Sequence, residues 1–247
     1  MLDKLKHWFG RGGSAAATAD VWPELADWAQ GRQSSLRLAK GGEGFVIEGR
    51  LGANPWRLEW GPSQRPYIQG SELRLRAELN LAPDIQVMLL DRGLQAAMET
   101  SVFEQYVESV QTRIDNQTPP EMRWLVMFPK VTGAELGALK EHFAGVSSVK
   151  QWLGRWLEGP LSAALANAPL SREQPLVLMI SRGRLGLRTA LAEPTPAQVK
   201  AWVSVFETAI RESRRLGKPL VDPAAPHRPP GLWFPGDSAA DEPPRQR

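Results

Sequence analysis

The chain has 247 residues, a formal net charge of +3 and no cysteine. This length can bury a full hydrophobic core, and the shares of apolar and charged residues are ordinary for a soluble globular protein. The absence of cysteine excludes disulfides, thiolate nucleophiles, iron–sulfur clusters and zinc sites with thiolate ligands.

The first segment, MLDKLKHWFGRGG, has the pattern of a short amphipathic helix. One side of that helix would carry Leu2, Leu5, Trp8 and Phe9. Segments of this kind lie on a membrane surface or against a protein partner. Packing on the body of the same chain is an equally open alternative, because a helix this short is marginal in water. Charged residues interrupt the apolar positions, so we expect no secretory signal.

Strands are predicted next, after a short helix at residues 20–31. Residues 34–80 alternate apolar and polar side chains with a period of two, which is typical of strands with one buried face. The clearest stretch is ELRLRAEL at 72–79, where leucines point one way and arginines the other. Turn sequences separate four such runs, and these residues therefore predict a four-stranded antiparallel meander.

The second half mixes strands with helices. Apolar runs at 87–90 and in RWLVMFPK at 123–130 predict two strands, and helical periodicity predicts a helix at 91–114 between them. Residues 175–191 predict a β-hairpin, with Arg182 and Gly183 at its turn.

Three further helices are predicted from a hydroxyl residue followed three positions later by Glu or Gln, a pattern that caps a helix N-terminus. The pairs are Thr132 with Glu135, Ser148 with Gln151, and Thr195 with Gln198. Gly159 and Pro160 predict a break in the second of these helices, because proline cannot donate a backbone hydrogen bond. An apolar stripe runs along the third helix, which we expect to end at Gly217.

Together these patterns predict an α+β fold, with an N-terminal antiparallel β-meander lobe followed by a mixed α/β lobe with a C-terminal amphipathic helix. The predicted divisions are an amphipathic N-terminal segment and linker at 1–19, a β-rich lobe with a helix at 20–131, a helical lobe with a β-hairpin at 132–217, and a proline-rich tail at 218–247. Trp233 and Phe234 in the tail either pack on the body or form a docking motif.

No catalytic or cofactor motif stands out. The three histidines lack the spacing of ligands, so we predict no metal site and no cofactor. Glutamates among the arginines of the predicted meander are best interpreted as cross-strand surface ion pairs, and they are Glu48, Glu59, Glu72 and Glu78. A carboxylate-based catalytic site at such residues is kept as an alternative.

Arginines on the predicted hairpin could contact phosphate groups, since a basic β-ribbon can enter a DNA groove or follow an RNA backbone. They are Arg182, Arg184 and Arg188. Acidic residues are mixed with the basic ones along the chain, which makes nucleic acid a less favoured partner.

The sequence therefore favours a non-enzymatic accessory or adaptor protein of bacterial origin that docks to a protein partner or to a membrane surface. We expect it in the cytoplasm, with peripheral contact at the cytoplasmic membrane face left open. Two further functions stay open as well: a nucleic-acid-binding protein that uses the arginine hairpin, and an enzyme with a carboxylate-based site.

Overall fold

The computed structural model describes residues 22–39, 44–108, 119–171 and 174–217, with the backbone alone at 103–108. These residues form an α+β fold on one eight-stranded antiparallel sheet, which confirms the predicted fold class. The strands are β1 (Ser35–Leu38), β2 (Phe45–Leu51), β3 (Asn54–Pro62), β4 (Ser71–Glu78), β5 (Val87–Asp91), β6 (Phe143–Ser147), β7 (Leu176–Ser181) and β8 (Arg184–Ala190).

The first four strands are the predicted meander, in which each strand pairs with the next. The predicted hairpin is also present, and it joins β7 to β8. Its turn places both Arg182 and Gly183 at positive φ, 51° and 74°. This backbone twist matches that of the flanking strands, which is why short turns of this kind are favoured in hairpins.

The strand order across the sheet is β1-β2-β3-β4-β8-β7-β5-β6. The C-terminal hairpin lies beside the meander, because β8 pairs with β4. Strands of both predicted lobes thus belong to one sheet, and the division into two lobes stays a prediction. By its internal contacts the chain divides into Met1–Gly217 and Lys218–Arg247, and every described residue belongs to the first unit.

Seven α-helices and one 3-10 helix occur in the described residues. The α-helices are α1 (Pro23–Gly31), α2 (Arg92–Glu108), α3 (Pro120–Met127), α4 (Gly133–Leu136), α5 (Lys150–Leu157), α6 (Pro160–Ala166) and α7 (Pro196–Gly217), and the 3-10 helix is Gly137–Glu141. Within the described part of the chain, none of them is long and apolar enough to cross a membrane.

Two of the three predicted helix caps are confirmed. Thr132 and Glu135 form the capping box of α4, and the hydroxyl of Thr195 accepts the Gln198 N–H at the start of α7. The predicted cap at Ser148 is wrong: its hydroxyl donates to the Asp84 carbonyl at 2.8 Å and accepts the backbone N–H of Gln86 at 3.0 Å. The Ser148 hydroxyl therefore bonds to the segment before β5 instead of to the first turn of α5.

The predicted strand RWLVMFPK is wrong, because most of it lies in the helix α3. Pro120 occupies the first helical position, where its missing N–H costs nothing. Met122, Trp124 and Leu125 are buried against β5, β6 and β7. A short apolar run does not distinguish a buried strand from a buried helix. The strand that pairs with β5 at the edge of the sheet is instead β6, which was not predicted from the sequence.

Gly159 and Pro160 break the predicted middle helix into α5 and α6, as expected. Gly159 has a φ of 71°, a backbone conformation that other residues rarely adopt. Pro160 then starts α6. The break allows both short helices to bury their apolar sides, since Trp156 of α5 and Leu161 of α6 are fully buried.

The main core lies between one face of the sheet and five of the helices. Leu58, Leu75 and Leu187 project from the sheet into this core. Apolar residues of α1, α4, α5, α6 and α7 cover them, among them Trp202 and Phe206. A smaller core on the other face is formed by α2 and α3 over β5, β6 and β7. The second face is thus covered by described helices at one side of the sheet.

Candidate functional site

The second face of the sheet changes from apolar to charged across its width. Among the described residues, the main helix contacts on this face are made by α2 with β5 and β6. The strands β2, β3, β4 and β8 instead direct charged side chains to it, and Arg76 and Arg184 are 67% and 73% exposed there. We call this surface the open half. Its residues are Glu48, Arg50, Arg57, Glu59, Glu72, Arg74, Arg76, Glu78, Arg184, Gly186 and Arg188.

Strand register brings like charges side by side on the open half. Arg57 of β3 lies directly opposite Arg76 of β4. Arg74 of β4 lies directly opposite Arg188 of β8. Directly opposed like charges destabilise a sheet. Neighbouring carboxylates are therefore needed to hold these arginines together.

Glu59 neutralises several of these arginines at once. Its Oε1 lies 2.5 Å from Arg57 Nε and 3.4 Å from Arg76 Nη2, and its Oε2 lies 3.3 Å from Arg74 Nη2. Burial acts to raise the pKa of Glu59, but the hydrogen bond from Arg57 and the charges of all three arginines outweigh it and lower that pKa below 4.5, its ordinary value. Glu59 is therefore a fixed negative charge at neutral pH.

Glu72 is the fully buried carboxylate of the open half. Its Oε1 accepts a hydrogen bond from Arg188 Nη1. Its Oε2 accepts the backbone N–H of Gln64 at 2.9 Å and Arg74 Nη1 at 3.5 Å. Both carboxylate oxygens are thus occupied, as a buried charge requires.

A third buried carboxylate, Glu121, comes from α3 at the border with the smaller core. Its Oε1 lies 3.0 Å from Arg65 Nε and 4.0 Å from Arg188 Nε. No described residue donates a hydrogen bond of ordinary geometry to its Oε2. Burial, together with the negative charge of Glu121, raises the pKa of Tyr67, whose hydroxyl lies close to this carboxylate.

Two depressions lie on the open half. The larger is a groove of about 570 Å³ along the ends of β2, β3, β4 and β8, and Arg50, Arg76 and Arg184 line it. The smaller is a cavity of about 110 Å³ around Gly186. A Cβ at Gly186 would find its nearest neighbour at 3.8 Å, the Met179 Cγ, so this glycine leaves space that a side chain would fill.

Hydrogen-bond donors outnumber acceptors on this surface. A guanidinium group has five N–H donors. The described contact of Arg76 is the one with Glu59, and that of Arg184 is a hydrogen bond from its Nε to Glu78 at 2.8 Å. Both oxygens of Glu48 are already taken, by Arg57 and by Arg37. Such a surface can bind a ligand rich in acceptors, in other words an anionic one.

Cross-strand ion pairs were expected at the glutamates of the meander, and they are present. Glu48 lies 2.6 Å from Arg57, and Glu78 lies 2.8 Å from Arg184. Their predicted place on the surface is correct for Glu48 and Glu78 but wrong for Glu59 and Glu72, which are buried. The loop between β3 and β4 explains part of this burial, because the backbone of its residue 64 contacts Glu72.

The hairpin arginines predicted to contact phosphate occupy three different environments. Arg182 is exposed at the turn between β7 and β8. Arg184 is exposed but paired with Glu78, and Arg188 is partly buried and paired with Glu72. The hairpin is an interior part of the sheet and not an isolated ribbon. Phosphate contact by these three residues stays a prediction.

The predicted docking residues lie outside the described residues. They are Leu2, Leu5, Trp8, Phe9, Trp233 and Phe234. Within the described ranges, no group of three or more His, Cys, Asp or Glu residues could hold a metal ion.

Sequence reasoning missed the cavity at Gly186 and the part played by Glu121. A glycine inside a strand pattern was a usable signal, since it often marks a close approach by a ligand or another backbone. Glu121 carried no such signal, because it lies between the helix predicted at 91–114 and the strand predicted at 123–130.

No protein-family model and no curated protein matches the chain. Among solved structures, it is similar to the mycobacterial trehalose monomycolate transport factor A, with 9% sequence identity and a TM-score of 0.43. The likeness covers 78% of this chain and 92% of that one. A likeness of this degree assigns neither a fold family nor a function.

Proposed function

We propose that this chain is a non-enzymatic accessory protein that binds a protein partner through the open half of its sheet. The observation that carries the proposal is the surplus of exposed arginine donors over free carboxylate oxygens. Arg76 and Arg184 project into solvent, whereas Glu59 and Glu72 on the same face are buried and paired. A partner segment that is mainly acidic would complete this arrangement, because arginine binds carboxylates in a bidentate geometry.

The mixture of signs favours a protein over a nucleic acid. Glu48 and Glu78 stand among the exposed arginines of the groove. A phosphate backbone presents one sign of charge throughout, so these glutamates would repel it. A protein segment can place a basic residue opposite each glutamate and acidic residues opposite the arginines.

The carboxylates of the open half are poorly suited to general acid–base catalysis. A catalytic carboxylate needs a pKa near the working pH. The pKa of Glu59 is instead lowered by its arginines, and both oxygens of Glu72 are occupied. These observations support a binding role over the alternative of a carboxylate-based enzyme.

The terminal residues form a second part of the proposal. Leu2, Leu5, Trp8 and Phe9 would add an apolar contact to the same partner, as would Trp233 and Phe234. Comparison of the full chain with a chain that begins at Ser14 tests this contribution. Weaker recovery of the partner by the shorter chain supports it, and equal recovery contradicts it for the N-terminal segment.

Affinity recovery from the native cell, run in parallel with and without nuclease treatment, tests the binding surface. We would compare the unaltered chain with the double variant Arg76→Glu and Arg184→Glu. The control is Arg211→Glu, which reverses the charge of one exposed arginine on α7, on the opposite face of the sheet. We expect the double variant to recover at least about tenfold less partner, because reversed charges repel an acidic segment.

Two outcomes of that experiment would contradict the proposal. Equal recovery by the double variant and the control would show that the open half is not the binding surface. Recovered material that nuclease removes would favour the nucleic-acid alternative.

A further inference from the structure

We infer that the cavity around Gly186 is a binding site for a single oxyanion, a carboxylate or phosphoryl group carried by the ligand of the open half. This inference deepens the proposed function and rests on it. The cavity has a volume of about 110 Å³. It lies where β4, β8 and β7 run side by side.

The charges around the cavity favour an anion. Of the described residues that line it, four are arginines and one is a glutamate. The arginines are Arg57, Arg74, Arg76 and Arg188. They include both of the directly opposed like-charge pairs described above. An anion placed among them would add to the relief of this repulsion that Glu59 already gives.

Gly186 is the feature that makes room for the ligand. It lies directly opposite Arg76 in the register of β4 and β8. Any other residue at this position would direct its side chain to the open half, beside Arg76. Its φ is not positive, so the backbone does not require glycine here. The nearest atom to a Cβ would lie 3.8 Å away. The glycine therefore leaves space beside Arg76 that a side chain could have filled.

The walls of the cavity would strengthen the interaction. Val177 and Met179 of β7 form its apolar side. Coulomb attraction grows as the local dielectric falls, so an oxyanion beside these residues is held more tightly than one on an open surface. Arg76 supplies guanidinium donors beyond its 3.4 Å contact with Glu59.

Titration of the full chain with sodium phosphate and with sodium acetate tests the site. The readout is the NMR signal of arginine side-chain Nε–H groups, with ionic strength held constant by sodium chloride so that screening does not change. Gly186→Val fills the cavity without a change of charge. Arg76→Gln removes donors at an exposed position and keeps the test valid if the valine variant does not fold. Arg211→Gln on α7 is the control.

We expect saturable shifts of the same arginine signals with at least one of the two anions. Affinity should fall about tenfold or more in Arg76→Gln, the loss expected for a charge-assisted hydrogen bond. It should fall at least as much in Gly186→Val, because the valine side chain occupies the space of the anion. It should stay unchanged in Arg211→Gln. Tighter binding of phosphate would assign a phosphoryl source, and comparable binding of acetate would assign a carboxylate source.

Absence of saturable shifts with both anions would overturn the inference, as would equal affinities in all the folded variants. These outcomes are separate from the test of the proposed function. If the anions do not bind but partner recovery still depends on Arg76 and Arg184, the cavity is not a site and the open half remains one. If the anions bind but partner recovery does not depend on those arginines, the cavity is an anion site and the open half is not the surface that binds the partner.

Discussion

Glu72 and Arg188 form a salt bridge between the adjacent strands β4 and β8, and the Glu72 side chain is fully buried. Arg74 and the backbone N–H of Gln64 occupy the other oxygen of this carboxylate. A buried charge that loses its partner is far more costly than a surface charge that does so. The pair therefore joins the meander to the C-terminal hairpin, and removal of one partner alone should lower the stability of the fold.

Substitution Glu72→Ala should lower the free energy of unfolding by about 3–5 kcal/mol, because it removes the buried carboxylate that pairs with both Arg188 and Arg74. The exposed pair of Glu78 with Arg184 offers a matched control, and Arg184→Ala should cost no more than about 1 kcal/mol. Urea unfolding of both variants at about pH 7 measures the difference. Equal losses in the two variants would contradict the assignment of Glu72 as the buried centre of the ion pairs.

Glu59 makes stability depend on pH in a defined direction. Its pKa in the folded protein is lowered from 4.5. A lowered folded-state pKa contributes stability that is present above the unfolded-state value and is lost as the pH falls through the folded-state value. The unaltered chain should therefore exceed Glu59→Gln in stability at about pH 7, and the gap should shrink as the pH falls below 4.5. Unfolding by urea across this pH range checks it, and a constant gap would contradict it.

Two strand glycines should respond differently to a methyl group. At Gly49 a Cβ would lie 2.4 Å from Trp56 Cζ2, whereas at Gly186 the nearest atom is 3.8 Å away. Gly49→Ala should cost about 1–3 kcal/mol through overpacking. Gly186→Ala should change stability by less than about 1 kcal/mol. Chemical unfolding of the two variants compares them, and a large loss at Gly186 would show that the space beside Arg76 is not available.

Tyr67 should resist ionisation in the folded protein. Burial and the charge of Glu121 raise its pKa above the ordinary value of 10.0. A raised folded-state pKa contributes stability that is present below the unfolded-state value and is lost as the pH rises. The difference in tyrosinate absorbance between the unaltered chain and Tyr67→Phe isolates this residue. We expect it to ionise only together with alkaline unfolding, and ionisation of the folded protein near pH 10.0 would contradict this.

Local sequence patterns predicted the elements whose signal is contained in a short stretch of consecutive residues. The alternation in ELRLRAEL assigned Leu73 and Arg74 to opposite faces, and Arg182 with Gly183 marked the hairpin turn. The stripe of α7 was equally clear, since its buried residues recur with helical spacing. In each case the pattern itself lies within one element or one turn.

Long-range contacts decided what the sequence left open. Arg188 meets Glu72 and Glu121 from two distant segments, and no periodicity indicates such a meeting. The burial of Glu59 and Glu72 depends likewise on segments outside their own strands. Most of RWLVMFPK is helical because α3 packs on an apolar part of the sheet. The residue pattern of this short segment does not indicate that packing. The candidate site is therefore a product of strand order rather than of a motif.

Photo-crosslinking in the native cell tests the central claim most directly. A photoreactive phenylalanine analogue would replace Glu78, which is 58% exposed within the open half. The control would replace Ser204, which is exposed on α7. We predict one dominant protein adduct from position 78, joined through a segment rich in acidic residues, and none of it from position 204. The same adducts from both positions, or none from position 78, would contradict a partner-binding role for the open half.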